Sequence, residues 1–343
     1  MPRIAINMKR KACCCIAILF ALTAGAVPPR RGAVRKPAPI HKPAPLDAAA
    51  VNNPGTRPDL NDDSTGAAVL RAQILLDRAH FSVGQIDAKV GDNTKSAVAG
   101  FRATRQLPPG NQIDQDVWNA LNMDSSQALI EYTVTDADLA GPFVKRPPDL
   151  MAQAKLMHLG YASPLDELAE RFHVAPAVLA RLNPGKAFSQ AGEKLTVPNV
   201  GTEITGTAAR VVVSKSKNTV TALDADGHVL AQYPCTSGSE HDPLPIGDWK
   251  ITGIAKNPKF HYNPDLFWDA KPQDSKATIA PGPRNPVGVV WMDLSKEHYG
   301  IHGTPDPSLV GHAQSHGCIR LTNWDASQLA GLVKPGTPAS LIE

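Results

Sequence analysis

Residues 299–321 read YGIHGTPDPSLVGHAQSHGCIRL, and this stretch decides how the rest of the chain is read. It gathers His302, His312, His316 and Cys318 into one short span. A cysteine attacks as its thiolate, and a neighbouring imidazole can take the thiol proton. Gly317 ahead of Cys318 removes a side chain, so the backbone can turn sharply and present N–H groups to an oxyanion. His302 lies sixteen residues upstream of Cys318 and returns to it if Pro305 to Gln314 fold as a loop. A zinc site is the competing chemistry, because zinc takes His and Cys. No HExxH or CxxC pair is present, and Ser315-His316-Gly317 argues against His312 and His316 sharing one helical face. A purely structural set of histidines fits poorly with Cys318 two residues from His316. The expectation is covalent catalysis with no metal and no cofactor.

Outward from this stretch, residues 206–343 carry frequent β-branched runs divided by Gly and Pro turns. They include Val211-Val212-Val213, Thr219-Val220-Thr221, Val229-Leu230, Val287 to Trp291 and Ala339-Ser340-Leu341-Ile342. This pattern predicts a mostly-β domain. One helix is expected from Trp324 to Val333, with Ala326, Leu329, Ala330 and Val333 on one face.

His302-Gly303-Thr304, a loop, then Ser315-His316-Gly317-Cys318-Ile319-Arg320 resembles the L,D-transpeptidase catalytic domain, also called the YkuD domain. Thr236-Ser237-Gly238 with Pro245-Ile246-Gly247-Asp248-Trp249 extends the resemblance, with Leu244 where threonine is usual. Ile279 to Pro283 and Asn285-Pro286-Val287-Gly288 match the subset that also carries LysM modules. The resemblance implies a reaction. Cys318 attacks the carbonyl of the third residue of a peptidoglycan tetrapeptide stem and expels D-alanine, and the thioester passes to an acceptor amine. His302 would be the general base, oriented by the Gly303 carbonyl, with Gly317 and Cys318 N–H groups as oxyanion donors. Ser315 and His316 match motif positions of the catalytic set. Arg320 would clamp a carboxylate, with Tyr299 and Thr304 beside it as substrate-binding residues. The acceptor amine would give 3-3 cross-links or protein anchoring, an outer-membrane lipoprotein being one such acceptor partner. An L,D-carboxypeptidase, with water as acceptor, and a non-catalytic wall-binding scaffold are the alternatives; the intact Ser-His-Gly-Cys motif speaks against the scaffold.

Residues 66–122 separate into apolar and polar faces at helical spacing: Val69, Leu70, Gln73 and Leu76, then Thr94, Ala97, Val98 and Phe101, then Val117, Trp118 and Leu121 after an Asp114 N-cap. This three-helix arrangement resembles a bacterial peptidoglycan-binding domain, on Gly84-Gln85-Ile86-Asp87, Gly91 and the apolar positions just named. Residues 130–199 follow a β-α-α-β order. They resemble a LysM module, which binds N-acetylglucosamine-containing glycan, on Pro164 to Ala169, Leu182-Asn183 and Gly192 to Pro198, with an insertion after Thr135. The expected fold is therefore multidomain: a helical bundle, a small α+β module and a mostly-β catalytic domain.

Residues 1–26 read as a cleaved export signal, with Arg3, Lys9, Arg10 and Lys11 before a short apolar run and Ala24-Gly25-Ala26 at the cleavage site. Membrane contact is expected only through this segment during export, and the periplasm is the expected compartment. Residues 27–65 are rich in Pro, Ala, Asn and Asp and read as a disordered tether. The whole chain carries +3, but four bases in 1–26 and five in 27–46, with no acids in either, leave −6 on the remainder. A folded part of that sign excludes a nucleic-acid binder. Beyond Cys13, Cys14 and Cys15 of the apolar run, only Cys235 and Cys318 remain, too few for a disulfide scaffold. Cys235 ends an apolar strand and reads as a buried small hydrophobe; a disulfide with Cys318 is the sharper alternative.

Overall fold

The structure, a computed structural model, describes residues 45–201 and 204–343. The expected export signal and the first part of the expected tether lie outside the described residues. In chain order the first half contains α1 (Ala48–Asn52), α2 (Ala67–Arg78), α3 (Asp92–Thr104), α4 (Gln115–Leu121), β1 (Leu129–Thr133), α5 (Leu150–Gln153), α6 (Pro164–Arg171), α7 (Pro176–Leu182) and β2 (Lys194–Pro198). The second half contains β3 (Arg210–Ser214), β4 (Thr219–Leu223), β5 (Val229–Pro234), β6 (Thr236–Ser237), β7 (Gly247–Lys256), β8 (Phe260–Tyr262), β9 (Ala277–Ile279), β10 (Val290–Leu294), β11 (Gly300–His302), β12 (Ile319–Arg320), α8 (Asn323–Leu332) and β13 (Pro338–Ile342).

Helix starts follow local chemistry. The Asp114 carboxylate accepts the Val117 N–H, the Ser163 hydroxyl accepts the Asp166 N–H ahead of Pro164, and the Thr322 hydroxyl accepts the Asp325 N–H. Each satisfies a donor the helix itself leaves open. Helices α2, α3 and α4 bury Leu70, Ile74, Val98, Phe101 and Trp118 between them. Strands β1 and β2 pair antiparallel and flank α6 and α7.

The tether reading fails over residues 45–65. Val51 of α1 is fully buried and its carbonyl accepts from Arg71, while the Leu60 N–H donates to the Ile113 carbonyl. The Pro- and Asn-rich composition signalled an open chain, but Val51 and Leu60 join the apolar core of the first half. Residues 66–122 and 130–199, expected as separate units, share one continuous apolar core that includes Phe81, Ile86, Leu168 and Val174.

In the second half nine strands form one sheet in the order β5-β4-β3-β13-β7-β10-β11-β12-β6. β3–β13 and β11–β12 run parallel and the other pairs antiparallel. β5 and β6 lie at opposite ends of that order, yet Cys235 alone separates them in the chain. The sheet must therefore curl until its edges nearly meet, giving a near-barrel with Cys235 at the seam. Helix α8 packs on β10 and β11.

The described residues belong to one compact unit. The open edge of β5 is covered by the first half: the Gln232 N–H donates to the His80 carbonyl, and the Gln232 carbonyl accepts from the Ser82 N–H. A bare strand edge invites pairing with another chain, and this cover removes it. A second joint is polar. Arg284 places its guanidinium against Asp166 and, at 2.6 Å, Glu170 of α6, and Asn323 of α8 donates to Glu170 at 2.8 Å.

A third joint is titratable. Ser82 donates to the Asp325 carboxylate at 3.0 Å, His173 lies 2.9 Å from Asp77, and its ring stacks on Trp324 at 5.0 Å. Burial first, and the Asp77 carboxylate second, push Asp325 up to about 7. Burial disfavours the His173 imidazolium, but Asp77 more than offsets it, so His173 also titrates above its ordinary value. Both groups hold protons in the folded chain at pH values where the unfolded chain has released them. The Asp325 contribution is thus present in full only below the ordinary aspartate range and is lost progressively as pH rises to about 7. Thermal melting between about pH 5 and pH 8 should show a Tm lower by several degrees at the alkaline end, and Asp325→Asn should flatten that slope. An unchanged slope in Asp325→Asn would remove Asp325 as its source.

Candidate active site

β11 and β12 run side by side, with Ile301 opposite Ile319 and His302 opposite Arg320. Residues paired across strands share a face of the sheet, as do residues two apart along a strand. His302, Arg320 and Cys318, which immediately precedes β12, therefore emerge on one face, while Ile301 and Ile319 point into the core. Thr236, opposite Arg320 on β6, joins that face.

His302 is buried, and its ring stacks on Trp291 of β10 at 5.1 Å. Its Nδ1 lies 2.6 Å from the Gly303 carbonyl oxygen. With Nδ1–H donated there, Nε2 is left as the acceptor nitrogen. Burial first, and the Arg320 cation second, push the imidazole down to about 3, against the pull of the Gly303 carbonyl. His302 is therefore neutral at pH 7. Gly303 has no room for a side chain: a Cβ there would fall on the Asn323 carboxamide oxygen.

Cys318 is partly exposed. Burial pushes its thiol up, opposed by the Gly300 backbone N–H and the Arg320 cation. At rest the thiol points to the His298 carbonyl oxygen at 3.7 Å, and no hydrogen bond joins it to His302 among the described residues. Gly317 holds φ at +92°, and a Cβ on it would meet the Tyr299 ring at 2.6 Å. Glycine is thus required both by backbone hand and by close approach, and Tyr299 is the side chain beneath it.

Ser315 pins the segment. Its hydroxyl donates to the Cys318 carbonyl at 2.7 Å and accepts the Gly238 N–H at 2.7 Å, which ties the Thr236-Ser237-Gly238 stretch to Cys318. His316 is turned the other way. Its Nε2 lies 2.9 Å from the Asp269 carboxylate, and Phe267 and Trp268 flank its ring. The structure thus brings Cys318, His302, Gly303, Gly317, Ser315, Tyr299 and Arg320 to one place and assigns His316 to the segment between β8 and β9. Arg320 has only the Gln314 carbonyl at 3.4 Å and makes no ion pair among the described residues. The Thr304 hydroxyl accepts the Asp306 N–H at 3.3 Å. Cys235 and Cys318 are both free thiols; Cys235 is fully buried and its thiol is pushed up to about 12 by burial.

Sequence reasoning missed Asp269, Asn323 and Trp291. Each reaches the site from a separate element, and no local motif marks it.

A model of the L,D-transpeptidase catalytic domain, YkuD, matches residues 208–341. Two Bacillus proteins bearing the name L,D-transpeptidase YkuD are similar to this chain. The Bacillus subtilis protein is 30% identical over 178 residues, which is 52% of this chain and 92% of its own. The Bacillus licheniformis protein is 31% identical over 179 residues, with the same coverage of 52% and 92%. A solved L,D-transpeptidase structure from Mycobacterium smegmatis aligns over 45% of this chain and 64% of its own, at 21% identity and a TM-score of 0.32, a partial likeness only.

Proposed function

The chain belongs to the L,D-transpeptidase family, and from that premise we propose that it transfers the acyl group of a peptidoglycan tetrapeptide stem through a thioester on Cys318. The observation that carries this reading is the shared face of β11 and β12. It sets a partly exposed thiol, a neutral buried imidazole with one nitrogen fixed by a carbonyl, and an unpaired arginine side by side.

The steps follow from that geometry. Arg320 takes a carboxylate of the donor stem by its planar fork. The thiol turns from the His298 carbonyl toward His302, whose neutral Nε2 accepts its proton as sulfur attacks the carbonyl carbon. Hydrogen bonds of this kind are often open in unliganded sites and tighten once substrate is bound. The oxyanion forms beside the N–H groups of Gly317 and Cys318. The tetrahedral adduct collapses, the C–N bond to D-alanine breaks, and His302 returns the proton to the leaving amine. An acceptor amine then attacks the thioester and restores the thiol, giving a 3-3 cross-link or an anchored protein.

We further assign the work to the cell wall outside the cytoplasm, in the periplasm. The export-signal pattern supports this, and no described helix is long and apolar enough to cross a membrane. Residues 66–122 and 130–199 are the proposed contacts to wall peptide and glycan; binding to insoluble sacculi, competed by N-acetylglucosamine oligomers, checks that part. The reaction itself is tested by incubating the protein with purified tetrapeptide muropeptides and weighing the products. Loss of D-alanine with formation of a dimer is expected. Loss of D-alanine with addition of water alone would make the protein a carboxypeptidase, and unchanged muropeptides would refute the reading.

A further inference from the structure

Arg320 is the carboxylate clamp of the proposed reaction, and a carboxylate of the chain itself lies close to it. Arg146, Asp306 and Arg320 line one cleft of about 210 Å³, two cations against one anion. Arg146 takes that anion: its Nη2 donates to both Asp306 carboxylate oxygens, at 2.7 and 2.6 Å. Arg320 makes no ion pair among the described residues and has only the Gln314 carbonyl, at 3.4 Å. Burial pushes its guanidinium down from the ordinary range, and the Cys318, Asp269 and Asp306 side chains oppose that push.

The two cations come from different parts of the chain. Arg320 belongs to β12, inside residues 208–341, the span of the matched catalytic domain. Arg146 lies outside it, in the segment between β1 and α6. That segment is seated on the catalytic half. The Arg284 N–H donates to the Leu159 carbonyl, the Leu159 N–H donates to the Pro281 carbonyl, and Lys271 pairs with Asp149 at 2.8 Å. Asp306 stands between Pro305 and Pro307, whose rings fix their own φ, so its side chain can turn on a held backbone. The Arg146 and Asp306 side chains are 27% and 42% exposed, so their pair is solvated enough to break and re-form. An Asp306 freed of Arg146 has one cation left in the cleft, Arg320.

We propose that Arg146 is a positioning residue: it holds Asp306 off Arg320 and so keeps the clamp open for the donor's carboxylate. Without Arg146, Asp306 turns onto Arg320 and occupies it as an internal mimic of the substrate. The consequence reaches the reacting groups, because Arg320 lies opposite His302 and two residues from Cys318 on one sheet face. A side chain from outside the catalytic domain thus decides whether that domain's clamp is available. This proposal rests on the acyl-transfer reading and names what keeps its donor site open.

The test uses the full chain as wild type, Arg146→Met, Asp306→Asn and the two substitutions combined. The first readout is kcat and KM for D-alanine release from a tetrapeptide donor. The second is the rate of Cys318 alkylation by iodoacetate relative to iodoacetamide, followed by intact mass; Cys235 is fully buried and stays unlabelled. The two reagents differ by a carboxylate against an amide, so their ratio reports a free cation beside the thiol and cancels changes in the thiol itself. Occupancy of Arg320 by Asp306 for about nine-tenths of the time lowers the donor's apparent affinity about tenfold. Arg146→Met should therefore raise KM roughly tenfold with kcat little changed, and lower the alkylation ratio severalfold. Asp306→Asn should leave both readouts near wild type, since Asp306 is already held, and the double variant should return to them. Loss of a packing contact alone would not be reversed by a second substitution. An unchanged KM and ratio in Arg146→Met, or a double variant no better than Arg146→Met, overturns the proposal. So do single substitutions with equal and opposite effects that add in the double variant, the mark of a general field with no exchange of partners. A wild type that releases no D-alanine defeats the acyl-transfer reading, and the alkylation ratio then decides the role of Arg146 by itself.

Discussion

Cys318→Ala is expected to lower D-alanine release on the order of 10⁴-fold or more, the usual cost of deleting a covalent nucleophile. Three features single out this thiol. Its backbone approach depends on Gly317, its own carbonyl is held by Ser315, and it is the partly exposed one of the two free cysteines in the described residues. Cys235→Ala is the control. That thiol is fully buried at the seam between β5 and β6 and pushed up to about 12, so it is neither reachable nor ionised at neutral pH. Cys235→Ala should keep most activity at some loss of stability, since it deletes a packed sulfur. Two measurements check the pair: D-alanine release from a tetrapeptide donor, and the intact mass after treatment with a carbapenem, a strained acyl donor. The adduct should form on the wild type and on Cys235→Ala but not on Cys318→Ala. An adduct on Cys318→Ala would mean that another side chain is the nucleophile.

His302→Ala should cost roughly 10²–10⁴-fold in acylation at neutral pH, the range for losing a general base. The size follows from the state of the thiol. Burial pushes Cys318 up, so at pH 7 it rests as a thiol and its proton has to be removed during attack. His302 can remove it because its imidazole, pushed down to about 3, stays neutral across the physiological range. The sign is fixed by that value: protonation of the base should cut the wild-type rate only well below about pH 5, with no loss on passing through the ordinary histidine range near 6.5. In His302→Ala the rate should rise with pH as the thiol ionises without help. His316→Ala should be rescued less, because His316 packs against Asp269, Phe267 and Trp268 and has no part in the proposed proton transfer. Acylation rates of the three proteins between about pH 5 and 10 decide the matter. A wild-type acid limb centred near 6.5, or a stronger alkaline rescue in His316→Ala, would reverse the assignment of the two histidines.

How much of this could be read in advance depended on how far apart the cooperating residues lie. The segment proposed to carry the nucleophile could be picked out because Ser315, His316, Gly317 and Cys318 are contiguous and form one motif. The mostly-β character of 206–343 was legible from its β-branched runs, as was α8 from the spacing of Ala326, Leu329 and Ala330. The His302 environment was only half legible: the Gly303 carbonyl is its neighbour in sequence, but Trp291 and Arg320 arrive through strand pairing. Asp269 meets His316 across 47 residues and Glu170 meets Asn323 across 153, so no local pattern signals either contact. Residues 45–65 were misread for the same reason. Composition reports what a segment can bury by itself, whereas Val51 and Leu60 are buried in a core made mostly by later parts of the chain.

Because Glu170 of α6 sits between Arg284 and Asn323, the piece of gene that can be exchanged intact between relatives is larger than the catalytic domain. A recombination crossover between residues 199 and 206 would place Arg284 opposite a foreign side chain and leave a guanidinium buried without its carboxylate, a fault of roughly 3–5 kcal/mol. The same crossover would take away the hydrogen bond that steadies Asn323, the residue against which Gly303 is packed. Viable hybrids would have to inherit positions 166, 170, 284 and 323 from one parent, and changes at these positions would be tolerated in compensating pairs.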